Sequence, residues 1–135
     1  MNPISQNYGL FLAALCIWRE ARGESREAKV GVAQVIFARV ADPRWPNTPG
    51  EVVLQKLQFS SFNKTDPNSW KFPTPADSAW LESCDVVQAT RPILGLPEAK
   101  EWANHYHSLP EGQEPSWADP TKLTATIGAF RFYRL

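Results

Sequence analysis

From Leu10 to Trp18 the chain carries no polar side chain: Leu10-Phe11-Leu12-Ala13-Ala14-Leu15-Cys16-Ile17-Trp18. Such a run predicts a helix buried nearly all round, the centre of a small domain. Asn7 or Ser5 is placed to cap it, and Gly23 offers a stop after about Arg22. A helical stripe follows at Ala28, Val32, Val35, Ile36 and Arg39, with Ser25 as its cap, Glu27 in its first turn and an end near Val40. The Gly23-Glu24 turn should fold these two helices together as a pair. Thr48-Pro49-Gly50-Glu51 spells a capping box with proline at the first helical position, opening a short helix through Val52, Val53 and Leu54. Thr74-Pro75-Ala76-Asp77 opens another, with Trp80, Cys84 and Val87 on its apolar face and an end before Arg91-Pro92.

Two later segments alternate with a period of two: Asn104-His105-Tyr106-His107, and Ala129-Phe130-Arg131-Phe132-Tyr133-Arg134. They predict a small antiparallel sheet. The expected class is therefore α+β, mainly helical. Between Lys56 and Pro75 lies a loop rich in Asn, Ser, Pro and Lys that also holds Phe59, Phe62, Trp70 and Phe72. A long loop with so many aromatics points to function.

At 135 residues and 43% hydrophobic content the chain predicts one domain, residues 1–135, with a real core. Its 14 Lys and Arg balance 14 Asp and Glu, so no overall field favours nucleic acid or an anionic membrane surface. The apolar run is too short to span a bilayer and lacks the basic flank and cleavage site of a signal peptide. The expectation is a chain made in the cytoplasm and not inserted in a membrane. Cys16 and Cys84, without CxxC or CxxH spacing, read as free core thiols, and no metal or cofactor is expected.

Candidate chemistry gathers at Trp18-Arg19-Glu20-Ala21-Arg22-Gly23-Glu24. Glu20 ends the apolar run against Ile17 and Trp18, where desolvation would raise a carboxyl pKa toward the range a general acid needs. Glu24, past Gly23, fits a solvated group paired with Arg22 or Arg26.

Several segments, taken in order, resemble one family, the SleB-type cell wall hydrolases, which are spore cortex-lytic enzyme-like and include phage endolysin-like members. The segments are Glu20-Ala21-Arg22-Gly23-Glu24 with Val32-Ala33-Gln34-Val35-Ile36-Phe37-Ala38-Arg39-Val40, then Pro46-Asn47-Thr48, Gln58-Phe59-Ser60, Asn104-His105-Tyr106-His107, Pro115-Ser116-Trp117-Ala118, and Ile127-Gly128 through Phe132-Tyr133. The resemblance implies a lysozyme-like α+β domain, acting as a monomer on peptidoglycan glycan strands at the MurNAc–GlcNAc β-1,4 bond. It implies Glu20 as catalytic acid/base and Gln58, Phe59, Ser60, His105, Tyr106, Trp117 and Tyr133 as substrate-binding. The chain departs from the family pattern at Ala38, where asparagine is usual, and at Phe130, where histidine is usual.

Glycoside cleavage ordinarily takes two carboxyl groups. Only Glu20 has a strong claim here; Glu24, Asp42, Glu51 and Asp66 are the other acids near the motifs. One acid suffices for a lytic transglycosylase, in which the sugar's own C6 hydroxyl is the nucleophile. The alternatives are a hydrolytic muramidase and a non-catalytic wall-binding or virion module. A chain without an export signal fits a phage endolysin released through a holin.

Overall fold

The structure is a computed structural model that describes residues 3–55 and 59–135, the first four of these as backbone only. Gln58 therefore lies outside the described residues. Among the described residues four α-helices come first: α1 (Pro3–Ala21), α2 (Arg26–Ala41), α3 (Pro49–Leu54) and α4 (Ser78–Thr90). Three strands follow, β1 (His105–His107), β2 (Leu123–Ile127) and β3 (Phe130–Tyr133), in the antiparallel order β1-β3-β2. The class is α+β. No helix among the described residues is long and apolar enough to cross a membrane.

The apolar run does form the central helix, with Ala13, Cys16 and Ile17 fully buried. It starts earlier than its caps predict: Ser5 and Asn7 both lie inside α1, because backbone helix extends back to Pro3. Around it pack α2, α3 and α4. The α1–α3 contact is a backbone approach, for a Cβ on Gly9 would meet the Gly50 nitrogen at 3.0 Å and one on Gly50 the Gly9 Cα at 3.4 Å. Helix α2 begins where Ser25 accepts from the Ala28 N–H at 3.2 Å, and its stripe Ala28, Val32, Val35, Ile36 and Arg39 is wholly buried. Thr48 caps α3, accepting from the Glu51 N–H at 3.3 Å and donating to the Glu51 carboxylate at 2.9 Å. Asp77 caps α4, which ends at Thr90 before the proline at 92. Lys29 on α2, almost fully buried, pairs with Glu82 on α4 at 2.7 Å and fixes how these helices lie together.

The third strand, β2, was not expected. Leu123 to Thr126 are exposed on both faces, so the segment has no alternation to read. It joins β3 through Gly128, whose φ of +57° suits a residue without a side chain. The sheet docks on α2 through Phe132, the ring of which occupies the space beside Gly31 where a Cβ would stand 2.5 Å from it. Gly31→Ala gains helix propensity of up to about 1 kcal/mol, but overpacking a buried ring costs about 1–3 kcal/mol. The expected outcome is a net loss, seen as a lower urea midpoint; a raised midpoint would mean that Phe132 moves aside freely.

Candidate active site

A cleft of about 670 Å³ opens between the end of α1, the middle loop and β1. Its walls are Arg19, Glu20, Arg39, Phe59, Ser60, Asn68, His105, Tyr106, His107, Ser108, Leu109, Trp117 and Phe130. Glu20, half-buried on the last turn of α1, is the one carboxylate among the described lining residues. Its Oε1 accepts from the Tyr106 hydroxyl at 2.7 Å and its Oε2 from the Ser61 N–H at 3.3 Å. Helix, loop and strand thus meet at one carboxyl group.

Tyr106 serves as a donor because it stays protonated. Burial pushes its pKa well above the usual phenol value, and the neighbouring Glu20 charge pushes it the same way. Phe130 sets its ring edge-on to Tyr106 at 5.5 Å. Phe130, where the resemblance implied histidine, thus packs an apolar ring against the tyrosine.

The middle loop is held by arginines that the sequence alone did not mark as site residues. Arg19, next to Glu20 and only 6% exposed, donates to the carbonyls of Ser61, Ser69 and Lys71 at 3.1–3.3 Å. Its guanidinium also lies 4.8 Å from the ring centres of both Phe62 and Phe72. Arg22 reaches the same loop, donating to Asn68 Oδ1 at 3.1 Å, so it is not a partner for Glu24. Arg39 crosses from α2 to donate to the Asn104 carbonyl at 2.8 Å and lies over Phe59 and Trp45. Burial lowers its pKa to about 10, which leaves it charged at neutral pH. The signal available beforehand was Arg39's place on the buried stripe of α2, together with the loop aromatics that could face a guanidinium.

The histidines on either side of Tyr106 point to the opposite face of β1 and differ in what they leave free. His107 is buried. Its Nδ1 accepts the Leu109 N–H at 3.1 Å, so Nε2 carries the proton and meets the Tyr133 hydroxyl at 3.1 Å. Both nitrogens are occupied by structure. His105 places Nδ1 2.9 Å from Asn104 Oδ1, while Trp117 packs on its ring at 4.9 Å. Its pKa is lowered to about 4, first by burial and then by the Arg39 and Arg44 charges, so it is neutral near pH 7.

Of the residues expected to bind substrate, Phe59, Ser60, His105, Tyr106 and Trp117 all line the cleft. Phe59 is nearly buried and forms the floor, and it is the Ser61 amide rather than the Ser60 hydroxyl that touches Glu20. Tyr133 does not line it. At 3% exposure it lies beneath, stacked on His107 at 5.5 Å and against Trp117. It pairs with His105 across the strands and shares the face of His105 and His107, but the rings of His107 and Trp117 cover it. The other acids are engaged elsewhere: Asp42 pairs with Arg44 at 2.8 Å, Glu51 bonds Thr48, and Asp66 caps the turn at Asn68. Glu24 lies against the β2–β3 turn, with its Oε2 3.2 Å from where a Cβ on Gly128 would be, and Arg26 pairs with Asp85 instead.

The chain is 28% identical over 112 residues to the spore cortex-lytic enzyme of Bacillus subtilis (strain 168), covering 73% of this chain and 37% of that protein. It thus spans little more than a third of the length of that relative. No solved structure matches it. A family model described as Cell Wall Hydrolase matches residues 23–133, the span from the turn after α1 to the end of β3. By that match the chain belongs to the SleB-type cell wall hydrolase family.

Proposed function

We propose that residues 1–135 form one catalytic unit that cuts the MurNAc–GlcNAc β-1,4 bond of peptidoglycan as a lytic transglycosylase. The observation that carries this reading is Glu20, the one carboxylate among the described cleft residues, oriented by Tyr106 and the Ser61 amide. Protonated Glu20 gives its proton to the glycosidic oxygen as the bond to the anomeric carbon breaks. The oxocarbenium-like sugar is then attacked by its own C6 hydroxyl, whose proton returns to the Glu20 carboxylate. A tethered nucleophile needs no second carboxylate to activate water, and tethering offsets several kcal/mol of the barrier. Phe59, Ser60, His105, Tyr106 and Trp117 would hold the glycan.

A hydrolase would instead need a partner acid about 5–5.5 Å from the first if retaining, or about 6.5–9.5 Å if inverting. Glu24, the nearest acid in sequence, lies against Gly128 and is not among the described cleft residues, which favours the non-hydrolytic course. Digestion of peptidoglycan in water enriched with heavy oxygen tests this. The expected products are 1,6-anhydromuramic ends free of solvent oxygen. Reducing ends labelled at the new anomeric position would make the enzyme a muramidase, and no cleavage at all would leave a wall-binding module.

A further inference from the structure

We infer that His105 Nε2 accepts a hydrogen bond from the acetamido N–H of a sugar in the cleft, which makes His105 a specificity-determining residue for N-acetylated glycan. This rests on the reading of the cleft as a glycan site. The proton positions follow from neighbouring backbone. The Leu135 N–H donates to Asn104 Oδ1 at 2.9 Å, and Asn104 Nδ2 donates to the Leu135 carbonyl at 3.1 Å. An N–H cannot donate to an amide nitrogen of this kind, so the atom facing it is the oxygen, and the amide orientation is fixed. That same oxygen lies 2.9 Å from His105 Nδ1, which must therefore carry the imidazole proton. A neutral ring with Nδ1 protonated has a bare lone pair on Nε2.

Among the described residues nothing hydrogen-bonds that nitrogen, and His105 lines the cleft. The positive charges nearest it, Arg39 and Arg44, oppose protonation, so the site presents an acceptor and not a donor. Against its ring stands the indole of Trp117, itself a cleft residue, at 4.9 Å between centres, and Leu109 adds apolar surface elsewhere in the lining. A single acceptor next to apolar surface suits a group that joins one donor to a methyl. In a peptidoglycan sugar the acetamido group has that composition, whereas a hydroxyl brings no methyl. His107 offers no such site, since both its nitrogens are bonded within the protein.

The test uses the Glu20→Gln protein and a tetrasaccharide of alternating GlcNAc and MurNAc. Nitrogen NMR of labelled protein should show Nδ1 protonated and Nε2 bare. On addition of the tetrasaccharide the Nε2 resonance should move upfield, and one acetamido proton of the sugar should move downfield. Adding His105→Phe should abolish both shifts and weaken binding about tenfold, the loss of one hydrogen bond. His105→Gln, with a carbonyl acceptor, should recover part of that loss. A proton on Nε2, an Nε2 shift without an acetamido shift, or undiminished affinity in His105→Phe would overturn the assignment. Cleavage of the tetrasaccharide by the Glu20→Gln protein would overturn the role of Glu20 and leave that of His105 standing. Failure to bind the sugar at all would overturn both this inference and the glycan reading of the cleft.

Discussion

Glu20→Gln is expected to leave a folded protein whose cleavage of peptidoglycan falls by about 10²–10⁴-fold, the usual contribution of a positioned general acid. The replacement keeps the shape of the side chain and one oxygen, which can still accept from the Tyr106 hydroxyl. Its amide nitrogen would then face the Ser61 N–H, a contact of 3.3 Å between two donors that a half-buried side chain can relax at a cost of about 1 kcal/mol. Stability should therefore change little while the transferable proton is lost altogether. Turbidity clearing of purified walls, compared at matched thermal stability, is the measurement. Comparable rates in both proteins would remove Glu20 from the chemistry. Glu24→Gln serves as the control, since Glu24 sits beside Gly128 and should lose little activity.

The second large effect is expected of Tyr106→Phe. The phenol gives the shortest hydrogen bond that Glu20 receives, 2.7 Å, and a hydrogen bond to a charged partner contributes about 1.5–3 kcal/mol. If that orientation is needed in the transition state, turnover should fall roughly 10–100-fold with KM little changed. The ring itself packs on Phe130, Phe132 and Phe59 and is retained in the variant, so the thermal midpoint should move by far less than the rate. Ser60→Ala, which removes an exposed hydroxyl not bonded to Glu20, should have the smaller effect of the two. Wild-type turnover in Tyr106→Phe would mean that the Ser61 amide alone holds the carboxyl group in place.

What could be read in the sequence follows from where periodicity exists. Helix α1 was legible because burial from Leu12 to Trp18 leaves an uninterrupted apolar run, which the exposed Phe11 extends, and α2 because its stripe is complete from Ala28 to Arg39. Strand β2 was not, because an edge strand exposed on both faces keeps only β-propensity as a signal, and that signal is weak. Glu20 and Tyr106, singled out in the sequence, do meet in one cleft. Tyr133 was misplaced for a packing reason: alternation gives the face a residue occupies, but not that the rings of His107 and Trp117 stack over it and bury it. Arg19 escaped notice because a charged residue near a helix end looks solvated, and only the tertiary fold reveals three loop carbonyls waiting for one guanidinium. His105 and His107 look alike in sequence. The difference between them is set by Leu135 and Leu109, whose backbone N–H groups decide which nitrogen of each ring carries the proton.

Arg19 and Glu20 are consecutive residues on the same turn of α1, one gripping the loop and the other working across from it. The width of the proposed glycan cleft is thus gauged from a single datum. Changes of sequence at the loop residues between Ser61 and Lys71 need not alter that gap, provided the loop still returns its carbonyls at Ser61, Ser69 and Lys71 to the guanidinium. Evolution could remodel the rest of that stretch to suit different walls while the working clearance stayed machined into one helical turn.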